Sequence, residues 1–178
     1  MRIVTIIIIL ITGCAGVGLV STSDPDVKLQ QSLQLISQGR YLMAKDLIRQ
    51  AIVTYEQENN ILGLAESYHL LGNLYKKPLN GGNADYSKST TYFEKSVIFF
   101  EQANSEIGVV KSLVGVGNSY HLRNKDDAAC QYYEKALARY TKGKANGTIS
   151  KEPMIFDNRY KNTGDVINAF MLREKCNT

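Results

Sequence analysis

The stretch EQENNILGLAESYHLLGNLY, residues 56–75, recurs forty-five residues later as EQANSEIGVVKSLVGVGNSY, residues 101–120, without a gap. Eight of the twenty positions are identical, among them Gly63/Gly108, Ser67/Ser112, Gly72/Gly117, Asn73/Asn118 and Tyr75/Tyr120. A chain with such a period is built from a unit that cannot bury its apolar face alone, so the copies must stack. Each copy continues into a second amphipathic stretch. Ala129, Tyr133 and Ala136 fall at i, i+4 and i+7, one helical stripe. Ser89, Phe93 and Ser96 have the same spacing, and so do Ala44, Ile48 and Ala51. Three prolines, no Trp and few β-branched runs after residue 20 favour an all-helical body.

In the last copy Leu113, Val116-Gly117, Tyr120, Ala129, Tyr133 and Ala136 sit at the offsets of the tetratricopeptide repeat (TPR), and the unit resembles that family. The family's early Trp is Tyr68 in one copy and Leu113 in the next, and Thr141 stands where its terminal Pro would be. The longer period, with Leu71-Gly72-Asn73, is similar to TPR variants of about 40 residues. The resemblance spans residues 27–141. In the first copy Ser32 replaces the glycine, while Gly39, Tyr41, Ala44 and Ala51 fit. It implies an all-α superhelix of about three helix-turn-helix repeats over residues 27–143, then a linker and C-terminal cap over 144–178. Residues 164–176 are expected to form the cap helix, with Thr163 capping its start and Asp165 in its first turn.

The N-terminus has its own layout. Arg2 precedes an apolar run from Ile3 to Ile11, followed by Thr12, Gly13 and Cys14. That order is that of a secretory signal, and Ile11-Thr12-Gly13-Cys14 resembles a bacterial lipobox. The resemblance implies that residues 1–13 are removed and that Cys14 takes diacylglycerol and an acyl chain such as palmitate. Residues 14–26 then form a flexible tether. Ala15 in place of Asp is similar to the outer-membrane-sorted type, which implies the periplasmic face of an outer membrane. The uncharged run Ile3–Val20 is also just long enough for an uncleaved inner-membrane anchor, the alternative. With Cys14 lipidated, Cys130 and Cys176 remain, an even number for an oxidising compartment. A bridge between them is expected to pin the cap helix.

The net charge of +4 is scattered, with no basic stripe of the kind nucleic-acid binding needs. Gly-x-Ser-x-Gly, P-loop and Cys-x-x-Cys motifs are absent, and His69 and His121 stand without evident catalytic partners. No catalytic residue, metal ligand or cofactor is therefore expected, and Asn146-Gly147-Thr148 reads as a turn. Position along the helices says more. Glu66, His69, Asn73 and Lys76 share one face at i, i+3, i+7 and i+10, and Lys111, Val114, Asn118 and His121 repeat that spacing. In TPR folds such a face lines the concave groove, so the resemblance makes these eight the candidate binding residues for an envelope protein or peptide. An Asn amide both donates and accepts along an extended backbone, and Lys76 and Lys111 can meet acidic groups. The loop KKPLNGGNADYSK, residues 76–88, lengthens the second copy by about five residues and is a second candidate. The function expected is a non-enzymatic, membrane-tethered TPR adaptor in assembly of an envelope machine, such as a pilus, secretion or outer-membrane complex. The alternatives are a regulator or accessory subunit of a cell-wall enzyme, a signal-anchored membrane TPR protein, and an enzyme completed by residues 144–178.

Overall fold

The computed structural model describes residues 21–150 and 160–176. The expected signal, Cys14 and the start of the tether lie outside the described residues. The rest forms seven α-helices, with no strand among the described residues. These are α1 (Pro25–Ser37), α2 (Tyr41–Glu58), α3 (Ile61–Tyr75), α4 (Tyr86–Gln102), α5 (Glu106–His121), α6 (Asp126–Ala145) and α7 (Thr163–Arg173). Each helix packs on the next in the chain, and α1, α3 and α5 also touch in sequence. That is a linear stack of three helix pairs with α7 on its end, and no helix among the described residues is long and apolar enough to cross a membrane.

Local chemistry sets the boundaries. Asp24 caps α1, its carboxylate accepting from the amides of Asp26 and Val27 at 2.8 and 3.3 Å, with Pro25 as the first helical residue. Residues 25 and 26 therefore belong to the helix rather than to the tether, and the Tyr55 hydroxyl donates to Asp26. Asn59 and Asn104, forty-five residues apart, end α2 and α4 in the left-handed region at φ 52° and 53°. Asn tolerates that region because its short polar side chain bonds locally. At α7 the cap is Asn162, whose side chain accepts from the Asp165 amide at 3.0 Å. Thr163, expected as the cap, is instead the first helical residue and is buried. Asp165 does lie in the first turn, and there it accepts from the Lys161 amide at 2.9 Å. The helix stops at Arg173, so Cys176 lies beyond it.

Two apolar cores result. One gathers Leu29, Leu35, Ile48, Tyr55, Leu71 and Leu74, and the other Phe100, Val110, Leu113, Tyr133, Val166 and Ile167. Between them runs a seam of small residues around Phe93 of α4, a ring with 0% exposure that belongs to neither core. A Cβ at Gly72 of α3 would stand 2.7 Å from this ring, and one at Gly115 of α5 2.6 Å. Only glycine admits the ring from both sides.

Serine hydroxyls complete the seam. Ser89 and Ser96 of α4 donate to the carbonyls of Gly72 and Ala65 on α3, at 2.7 and 2.8 Å. The same two hydroxyls meet Ser119 and Ser112 of α5, at 2.8 and 2.9 Å. All four serines are buried, and all are hydrogen-bonded, as burial of a polar group demands. The matching positions are Ala44 and Ala51 in the first repeat and Ala129 and Ala136 in the third. Ser67, the counterpart of Ser112, faces no such neighbour and donates back to Gly63 at 2.7 Å.

Candidate functional site

The face read from the 66–76 and 111–121 spacing is divided by this packing. Val114 is 3% exposed and presents no side chain for binding. His69 lies inside the seam, its ring edge-on to Phe93 with centroids 5.1 Å apart and its Nδ1 3.0 Å from Ser112 Oγ. Proton counting assigns the tautomer. Ser96 gives its one proton to Ala65, so Ser112 donates to Ser96 and accepts from His69, which must carry its proton on Nδ1.

Burial first, and then the positive charges of Lys111 and Lys76, lower the His69 pKa from 6.5 to about 3. Below pH 6.5 the unfolded chain takes up a proton that the folded chain refuses. The stability this group contributes is full above that pH and is lost as pH falls, with a slope of up to about 1.4 kcal/mol per pH unit. The urea midpoint is accordingly expected to drop between neutral pH and about pH 4.5. His69→Asn, which keeps a donor where Nδ1 stands, should flatten that slope. Equal slopes in the two proteins would place the acid sensitivity elsewhere.

His121 has a different environment again. Its Nδ1 stands 2.6 Å from Glu174 Oε2, just past α7, and 3.2 Å from Asp126 Oδ1 in the first turn of α6. Glu174 is nearly buried, and Arg173 holds its other oxygen. The three donors lie within 4.8 Å of one another, but each has protein partners and together they clamp α7 to the third repeat. Cys130 of α6 and Cys176 are disulfide-bonded beside this clamp, with Cα atoms 5.3 Å apart. Asn118 is also drawn inward, accepting from the Tyr133 hydroxyl at 2.9 Å.

Glu66, Asn73, Lys76 and Lys111 are what remains at the surface. Glu66 is exposed and the other three are half-buried. Lys76 Nζ lies 5.3 Å from the centre of the Phe93 ring, and burial, with Lys77 nearby, lowers its pKa. Neither Lys76 nor Lys111 forms an ion pair among the described residues, and both are close enough to act on His69. The 76–88 loop folds onto its own repeat and back onto α2 of the first. Asp85 donates its amide to the Tyr75 carbonyl at 2.9 Å and caps α4 through Lys88, while Leu79 packs on the N-terminal core.

Sequence reasoning missed two features. The serine seam had a signal, the Ser/Ala alternation at one stripe. Glu174 as the partner of His121 had none, since nothing in the spacing links them.

Residues 109–142, from α5 through most of α6, match the tetratricopeptide repeat family. No curated protein matches the chain. The match and the stack of helix pairs together make this an all-α, TPR-like repeat fold. Repeats of that kind are typically non-catalytic modules that bind protein partners.

Proposed function

We propose that the chain is a non-enzymatic adaptor, held by lipid on Cys14 at the periplasmic face of an outer membrane, that grips an envelope protein during assembly of a larger machine. The observation that carries this reading is the trio Asn73, Lys76 and Lys111. These are one amide and two ammoniums on adjacent helices with no ion pair of their own among the described residues, in a fold whose work is protein binding. An acidic segment of the partner would meet both lysines. Ile11-Thr12-Gly13-Cys14 supports the tether, and the Cys130–Cys176 bond favours an oxidising compartment.

The test is affinity capture from membranes with the full chain, tagged at its C-terminus, beside Lys76→Glu/Lys111→Glu. A specific envelope protein retained by the first and lost at least about tenfold by the second is expected, with circular dichroism unchanged. Retention by both would remove the site from this face. Intact mass of the captured chain tests the tether, since a full-length unlipidated N-terminus would replace it with the signal anchor.

A further inference from the structure

A second surface follows from comparing the two repeat junctions. In the second repeat four rings form a ladder, Tyr75–Tyr92–Tyr68–Phe99. Their centroids are 5.2, 6.1 and 5.4 Å apart and successive planes are within 23° of parallel. Its rungs come from α3 (Tyr75, Tyr68) and α4 (Tyr92, Phe99), and they pack on the N-terminal core. The third repeat begins the same ladder. Tyr120 and Tyr132, the counterparts of Tyr75 and Tyr92, stack at 5.4 Å and 17°. There it stops, because Leu113 stands for Tyr68 and Arg139 for Phe99.

Where the two missing rungs would lie there is a groove of about 360 Å³. Leu113 forms its floor and Val97 and Ala138 its walls, with Glu101, Lys135, Arg139 and Lys142 around it. Arg139 is held toward Glu101 and, at 3.1 Å, toward Glu106, which leaves the apolar floor uncovered. Lys135 and Lys142 form no ion pair among the described residues, so the rim keeps unmatched positive charge.

We infer that this groove receives an aromatic side chain from a partner polypeptide, one flanked by acidic residues. The Lys135 ammonium now lies 4.8 Å from the centre of the Tyr132 ring; the incoming ring would displace it, complete the ladder against Tyr132 as Tyr68 does against Tyr92, and be covered by Lys135 as Lys95 covers Tyr68. The Arg139 guanidinium would take the stacking place of Phe99, since a planar cation stacks on a ring as well as a second ring does. Acidic neighbours would meet Lys135 and Lys142. This surface is lined by α4, α5 and α6 and includes neither Lys76 nor Lys111, so it neither needs nor replaces the site proposed above.

The test is a titration of the disulfide-intact chain with the blocked peptide acetyl-Asp-Trp-Glu-amide, followed by amide and methyl NMR. Acetyl-Asp-Leu-Glu-amide is the control. Saturable shifts at Leu113 and Ala138 are expected, with a Kd of about 1 mM or below for so short a probe. The Leu peptide should bind about fivefold more weakly. Leu113→Tyr restores the missing rung from within and should abolish binding while preserving the fold. Ala138→Phe, at an exposed wall position, blocks the groove from its rim and serves if Leu113→Tyr does not fold. Absence of saturable shifts, equal affinity for the two peptides, or unchanged binding by a folded blocking variant would each overturn the assignment.

Discussion

Phe93→Ala is expected to cost about 3–5 kcal/mol and to loosen the second repeat from the third. The ring is fully buried, and the backbones pressed on it from α3 and α5 are those of Gly72 and Gly115, which have no side chains to move into the space it leaves. His69 would lose the edge contact that orients it, and Lys76 the ring beneath its ammonium. The helices can collapse only by moving whole backbones, and the serine bridges at Ser89 and Ser96 resist that. Urea unfolding by circular dichroism measures the effect. A loss under about 1 kcal/mol, the range of ordinary tolerated substitutions, would mean that the serines and not the ring set the spacing.

Cys130→Ser/Cys176→Ser is expected to destabilise the chain by up to about 4 kcal/mol, from the chain entropy of a loop of 46 residues. The loss should be local in origin. The bond closes a segment that includes all of α7, a helix whose packing onto the array is against α6 and which has no following helix among the described residues. Hydrogen exchange should therefore quicken first in Val166–Arg173 and leave α2 and α3 unchanged. Uniform loss of protection along the array would instead show that the stack unfolds as one unit and that α7 is integral to it.

Stacking was legible because Gly63/Gly108 and Gly72/Gly117 recur at one interval beside an alternation of small and aromatic residues. Those residues meet in the structure, Gly117 against Tyr133 as Gly72 is against Phe93. The glycine-to-ring interval is twenty-one residues in one copy and sixteen in the next, and the extra five are the 76–88 loop. The site was less legible. Spacing puts His69 and Val114 on one face with Asn73 and Asn118, but a helix packed on two neighbours has little free face. Which polar residues turn inward depends on small partners one repeat away. His69 is half-buried, turned toward the seam by Phe93 and Ser112, and Val114 is buried because its neighbours leave no opening. Cys130 and Cys176 could be singled out by counting thiols, whereas Glu174 could not, since its partner His121 is fifty-three residues earlier. The incomplete ladder was written in the sequence as Tyr68/Leu113 and Phe99/Arg139, but a pair of substitutions does not show that rings stack there.

The serine seam also bears on modularity. Repeat arrays are commonly treated as interchangeable bricks, since each unit meets its neighbours through similar apolar surfaces. Here the bricks are keyed. The third repeat brings Ser112, whose proton goes to Ser96 of the second. Placed directly on the first, it would face Ala51 instead, lose that acceptor and fall back on a carbonyl of its own helix, as Ser67 does with Gly63, so that a bond between repeats becomes one within a repeat. The His69 contact would vanish with it. The junction between α2 and α3, where the stripe is alanine, is the generic one, while the second and third repeats are matched to each other by the Ser96–Ser112 and Ser89–Ser119 pairs.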